Sequence, residues 1–315
     1  MLVVVFLVLQ WVFTIYEYQH INITELIYFK PDALAVLMLA TLSIISVPAI
    51  YHSHIYLKTK GDSARNVAIY FSAIVILLAA LSAAYVSAHI AVTWIFIEMT
   101  TLSSSALIYH RRNSRTLEGT WKYVFVCAVS ITFVFIGILF LSFALPHRGG
   151  DILNFDSLLA NAGSLDPFWA RLAFIFIFTG LTVKMGLVPM FTAGIDAKDK
   201  APSPAGALFS SVLMNVGFVC FFRIYIVLAN THLHSWANHV ILIAALLSIF
   251  VATVYMVKVK NIKRMLAYSS IEHMGIIMMG VVAGGIGYYA ALLQLILHSF
   301  VKSGLFFQVG QVYRV

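Results

Sequence analysis

Residues 182–191 read Thr182-Val183-Lys184-Met185-Gly186-Leu187-Val188-Pro189-Met190-Phe191, with a lysine and a proline five residues apart near the inner end of a long apolar run. Each is costly there for its own reason. A charge at mid-bilayer on a lone helix costs about 2.5–3.5 kcal/mol on the insertion scale, so ionisable groups within spans tend to face the bundle interior and mark ion paths. Proline lacks an N–H and its ring collides with the carbonyl four residues back, here that of Met185, so the helix is expected to bend or break one residue beyond Lys184. A broken helix in a membrane is tolerated only against protein or a water-filled cavity, where the freed carbonyls find partners. Gly186 and Pro189 therefore read as a helix break that loosens and hydrates the backbone beside a lysine able to exchange a proton. The alternative is an ordinary kink, with Lys184 snorkelling to the cytoplasmic surface near a loop expected at Asp196–Lys200.

The surrounding composition makes the membrane reading firm. The chain of 315 residues is 62% hydrophobic and 10% charged, against roughly 25% charged residues in an ordinary soluble domain. Apolar segments at about 1–18, 32–52, 67–87, 90–109, 122–145, 169–191, 204–229, 237–257, 264–286 and 287–312 are each close to a span in length. A span needs about 20 residues. Helices are the expected form, because a spanning helix satisfies its own backbone polar groups. The fold class is thus all-α, a polytopic membrane protein of about ten crossings. The first segment lacks the basic start and small-residue cleavage site of a secretory signal and reads as a retained span.

Net charge is +8, and its distribution is informative. Lys58, Lys60 and Arg65, then Arg111, Arg112, Arg115 and Lys122, then Lys198 and Lys200, then Lys258, Lys260, Lys263 and Arg264, with Arg314, fall in alternate loops. The other loops hold Lys30, Arg148 and Arg171. This is the positive-inside pattern, and it puts both termini in the cytoplasm of a cell membrane. The excess charge is topology and implies no nucleic-acid partner. The two cysteines, Cys127 and Cys220, make no iron–sulfur or zinc ligand set, and there is no GxGxxG turn or P-loop. No cofactor or metal is expected in this chain, so any redox chemistry belongs to another.

Ionisable residues within spans are few: Glu98, Lys184, Glu272, His273, His298 and Lys302, with Arg223 nearer a boundary. Glu98 shares a helix face with Thr101 and Ser105, three and seven residues on, which makes a polar stripe; its bland role is a structural carboxylate between helices. Gln294, His298 and Lys302 follow at intervals of four on one face. Imidazole accepts and donates at its two nitrogens, so the stripe suits a proton wire, although a satisfied buried histidine is the commoner case. Glu272 and His273 are adjacent, point to different faces and rank as secondary. Arg223 reads as an interfacial anchor or a local pair. His232, His234 and His239 match no common metal spacing.

Five ordered stretches carry a resemblance: WIFIEMTTLSS with Glu98, TVKMGLVPM with Lys184, APSPAGALFSSVLMN at 201–215, KRMLAYSSIEHMG at 263–275 and LHSFVKSGLFF at 297–307. Together, from about residue 30 onward, they resemble the proton-translocating, antiporter-like membrane subunits of respiratory complex I, of the Mrp sodium/proton antiporters and of membrane-bound, formate-hydrogenlyase-type hydrogenases, with APSP and AYSSIEHMG looking most like the hydrogenase branch. The resemblance implies a fourteen-helix fold with two inverted five-helix repeats, each containing a broken helix, and a mid-membrane row of charges. It further implies that Glu98 and Lys184 form an ion pair and that His298 and Lys302 lie on the polar axis of the second repeat.

On this pattern residues 1–66 are leading helices, 67–230 the first repeat, and 237–315 the start of a second whose own broken helix lies beyond Val315. Where relatives carry histidine or lysine on the helix after the broken one, this sequence offers Ser210 and Asn215, with water expected to bridge the gap. Gln294 replaces a second histidine. The implied partners are other antiporter-like subunits and peripheral iron–sulfur hydrogenase or dehydrogenase subunits. A scaffold that transports nothing and a quinone-site subunit are the competing classes.

Overall fold

A computed structural model describes residues 2–145 and 153–312; Arg148, Arg314 and Val315 lie outside the described residues. The helices in order are α1 (Leu2–Gln19), α2 (Ala33–Lys60), α3 (Ala64–Val86), α4 (Ile90–Ile108), α5 (Ser114–Ala144), α6 (Phe155–Ala160), α7 (Pro167–Met185), α8 (Thr192–Lys200), α9 (Ser203–Ser210), α10 (Val212–Ala229), α11 (His234–Lys258), α12 (Ile262–Ala283) and α13 (Ile286–Val312). Among the described residues, nine helical segments are long and apolar enough to cross a membrane, with α9 and α10 counted as one, and α1 is a shorter apolar helix.

Polar residues at the helix starts explain where several spans begin. The side chains of Asp32, Asn113, Asp166 and Asn261 accept from backbone N–H groups in the first turns of α2, α5, α7 and α12. Such caps satisfy donors that the helix itself leaves unpaired. Large apolar side chains such as Leu102, Phe125, Phe250 and Val301 are exposed on outward faces. In lipid this is the expected surface.

The successive helices α9 and α10 form the axis of the bundle, for every residue from 201 to 225 is buried. The sequence suggests one unbroken span at 204–229, but the structure interrupts it at Ser211, whose φ and ψ are −117° and −95°. The cause is competition for carbonyls: Ser211 donates to Ala207 O at 2.7 Å, and Tyr85 OH donates to Val212 O at 2.8 Å. Side chains inserted into the helical ladder bend it in this way.

The broken span is likewise more structured than its sequence suggests. Asp196–Lys200, expected as a loop, belongs to helix α8. Arg264 reaches Asp196 at 3.3 Å and Asp199 at 3.6 Å, Asn261 donates to Asp199 at 2.9 Å, and Lys263 donates to Ala201 O at 3.1 Å. Charges from the start of α12 thus hold α8 in place. Helices α5 and α7 meet at Gly180, where an added Cβ would sit 2.4 Å from Ser130 O. Small residues permit such close backbone approach in membrane bundles.

Candidate functional site

Helix α7 ends at Met185, and Gly186 takes a left-handed conformation with φ +73° and donates to Thr182 O. Residues with a Cβ rarely adopt that backbone, which is why glycine stands there. The N–H groups released beyond it find partners: Leu187 donates to Thr182 O at 3.0 Å, Val188 to Ser248 Oγ of α11 at 2.9 Å, and Met190 to Thr182 Oγ1 at 3.4 Å. Protein therefore covers this break. Pro189 lies in the connecting segment to α8.

Lys184, in the last turn of α7, is 5% exposed. Its ammonium donates to Thr100 Oγ1 at 3.1 Å, Thr101 Oγ1 at 2.8 Å and Tyr123 OH at 3.3 Å. An ammonium has three donors, and here three neutral oxygens meet them. The side chain points into the bundle, which removes the snorkelling alternative.

The resemblance implied a direct ion pair with Glu98, and the structure differs. Among the described residues no ion pair within 4.0 Å joins Glu98 to Lys184. Thr101 neighbours both: it accepts from the Lys184 ammonium, and it lies beside the Glu98 carboxylate, which remains within electrostatic reach of the lysine. Glu98 is half-buried, and its Oε2 is buried without a hydrogen-bond partner. The physical reason is local, since the hydroxyls of α4 are nearer the ammonium than the carboxylate is. Ser105 does not join this group; its hydroxyl donates to Leu102 O at 2.7 Å.

A second cluster lies between α12 and α13. Lys302, 2% exposed, donates to Leu266 O at 3.2 Å. His298, 3% exposed, has neither ring nitrogen partnered. The His273 ring lies 5.5 Å from it, centroid to centroid, and Gln294 meets His273 Nδ1 at 3.0 Å. The Gln294–His298–Lys302 face is therefore not a hydrogen-bonded wire, because Gln294 reaches across to α12. His273, ranked as secondary, is brought into the group, and half-buried Glu272 is within electrostatic reach of Lys302. Asn215 bonds Ser299 of α13 at 2.9 Å, while Ser210 Oγ is buried without a partner.

Lys198 is the residue that sequence reasoning misplaced, having counted it as a loop charge. It is 4% exposed, and its ammonium donates to Met214 Sδ at 3.1 Å. A small space of about 20 Å³ is lined by both Lys184 and Lys198, with Tyr123 and Met214. A signal was present: Gly194 lies four residues before Lys198 and Ala201 three after it, so the lysine shares a face with small residues. Tyr123 and Thr100 gave no comparable sign.

Away from these clusters, Arg223 is locally satisfied by Asp32 at 3.1 Å, Ser87 O at 2.8 Å and Tyr85 O at 2.6 Å. His234 meets Tyr225 OH at 3.1 Å, and His239 meets Ser235 O at 2.6 Å. Among the described residues no group of three or more His, Cys, Asp or Glu is placed to hold a metal.

A family model described as NADH:quinone oxidoreductase/Mrp antiporter, transmembrane, matches residues 87–315. The Hydrogenase-4 component F homolog of Methylacidiphilum infernorum is 34% identical over 244 residues, covering 76% of this chain and 51% of that protein. Hydrogenase-4 component B of Escherichia coli is 26% identical over 297 residues, 90% of this chain and 43% of that protein. Among solved structures, a chain of the archaeal membrane-bound sulfane sulfur reductase superposes with a TM-score of 0.86 at 22% identity, over 98% of this chain and 65% of that one. A chain of respiratory complex I from Thermus thermophilus gives 0.75 at 22% identity, over 91% of this chain and 58% of that one. These superpositions speak to the fold. The chain spans about half the length of the curated relatives it matches.

Proposed function

This chain belongs to the NADH:quinone oxidoreductase/Mrp antiporter membrane family, and from that premise we propose that it is a proton-translocating subunit of a redox-driven membrane complex of the hydrogenase or NADH:quinone oxidoreductase kind. Its partners in this reading are other antiporter-like subunits and peripheral subunits that carry the redox centres. Residues 67–230 serve as a first five-helix repeat and 237–315 as the beginning of a second, in a cell membrane with both termini cytoplasmic.

One observation carries the reading: a buried ammonium at the end of an interrupted helix, held by hydroxyls, with the Glu98 carboxylate within electrostatic reach. Redox chemistry in a partner subunit shifts the helices, and Glu98 moves toward or away from Lys184. Two unit charges ~4 Å apart at an effective dielectric of ~20 attract by about 4 kcal/mol. Moving one proton against ~100 mV costs about 2.3 kcal/mol. Making or breaking a Glu98–Lys184 contact thus involves enough energy for one step. Contact lets the lysine keep its proton, and separation frees the proton to move toward His298 and Lys302.

The test is Lys184→Ala in the reconstituted complex. Expected is electron transfer without proton translocation; unaltered translocation would rule the mechanism out. A membrane scaffold, by contrast, would work equally well with Glu98→Gln.

A further inference from the structure

Between Lys184 and Lys302 the sequence offered Ser210 and Asn215 as stepping stones. Asn215 is engaged with Ser299 through both amide atoms, Nδ2 donating at 2.9 Å and Oδ1 accepting at 3.2 Å. Amides and hydroxyls orient hydrogen bonds but do not store a proton near neutral pH. A titratable group is nonetheless present in the gap.

Lys198 is turned inward by α8. Asp196 and Asp199 of the same helix engage Arg264, Lys200 and Asn261. Among the described residues no carboxylate stands within 4.0 Å of the Lys198 ammonium, and the acceptor it does have is the Met214 thioether. Thioether sulfur accepts only weakly. A lysine kept purely for packing or structure would be an expensive choice here, because burying an ammonium without an anion or good acceptors costs several kcal/mol.

Its neighbours are the two lysines already assigned to the path. The small space of about 20 Å³ is lined by Lys184, Tyr123 and Lys198 together. A space of at least ~10–15 Å³ with two or more polar partners accommodates one water, and Lys184, Lys198 and Tyr123 stand among otherwise mostly apolar walls here. Lys198 is also within electrostatic reach of Lys302 and of His298.

We propose that Lys198 is the relay between Lys184 and the Lys302–His298 pair, a position filled from the short helix α8 rather than from α10. This rests on the reading of Lys184 as a proton carrier. In the first step the Lys184 ammonium releases its longest contact, the 3.3 Å bond to Tyr123 OH, and gives that proton, through a single water, to the Lys198 amine. In the second the Lys198 ammonium gives it to the Lys302 amine. Each step converts one ammonium to an amine and one amine to an ammonium, so the charge on the row is unchanged.

The experiment measures protons translocated per electron pair by the reconstituted complex carrying Lys198→Met, Lys198→Arg, Lys198→His or Lys184→Ala, with subunit incorporation measured for each. Positioned proton-transfer groups contribute about 10²–10⁴-fold, so Lys198→Met is expected to cut translocation about a hundredfold at normal incorporation. Lys198→Arg should fail as well, since guanidinium does not release its proton. Lys198→His should recover part of the activity, since imidazole exchanges protons near neutral pH.

Full translocation by Lys198→Met alongside loss in Lys184→Ala would overturn the relay and leave the Lys184 reading standing. Full translocation by both would overturn both. Should Lys198→Met fail to assemble, the other two variants decide: recovery by histidine and not arginine supports the relay, and recovery by arginine and not histidine makes the residue a structural charge.

Discussion

Lys184 and Lys302 are both buried lysines on spanning helices, yet their surroundings differ in kind. Around Lys184 three oxygens from α4 and α5 converge on the ammonium. The Lys302 ammonium donates to a backbone carbonyl, Leu266 O, and the imidazole one turn earlier has both nitrogens unpartnered. The first region fixes a charge in place; the second leaves polar atoms free to take new partners. The proposed relay through Lys198 needs both behaviours, a fixed charge at Lys184 and free polar atoms near Lys302.

Lys184→Arg should break the comparison most severely. The guanidinium keeps the charge but does not give up a proton, so translocation by the reconstituted complex is expected to fall about a hundredfold or more. Equal translocation would mean that Lys184 needs only its charge, and the two regions would then not differ in function.

Thr101→Val comes next. It removes a hydroxyl bonded to the ammonium, an interaction worth about 1.5–3 kcal/mol, which corresponds to roughly ten- to a hundredfold in rate. Thr101→Ser should restore most of the loss. If valine is harmless, the threonine does not mediate between Glu98 and Lys184.

His298→Leu separates stability from function in the second region. A buried polar group without a partner costs about 1–3 kcal/mol, so an apolar residue there should leave thermal stability in detergent unchanged or raise it by about 1 kcal/mol. Proton translocation should fall in the same variant. Destabilisation together with normal translocation would make His298 a packing residue.

Ser105→Ala should have the smallest effect. Its hydroxyl bonds only back to its own helix at Leu102 O, so a change below about 0.5 kcal/mol in stability and none in translocation is expected. A clear loss would restore it to the Glu98 face.

The spans and the helix break were legible because they are written in local signals. Continuous apolar length, the glycine after Lys184 and the proline beyond it act within a few residues. Residues 90–109 and 287–312 read as spans and fold as Ile90–Ile108 and Ile286–Val312. What escaped was written in other helices. The interruption at Ser211 depends on Tyr85, far away in sequence, and the helical form of α8 depends on Arg264 and Asn261. Thr100 and Tyr123 look like ordinary span residues until Lys184 arrives between them. Lys198 was misread because a charge next to Asp196, Asp199 and Lys200 resembles a solvated loop, whereas helical spacing turns it to the opposite side.

The central claim is that the Glu98 carboxylate changes its relation to Lys184 during turnover. Redox-triggered infrared difference spectroscopy on the reconstituted complex tests it most directly, by following carboxyl bands as electrons pass. The account expects a carboxyl signal that disappears in Glu98→Gln and changes in Lys184→Ala. An identical spectrum in the native protein and Glu98→Gln, with protons still translocated, would contradict it.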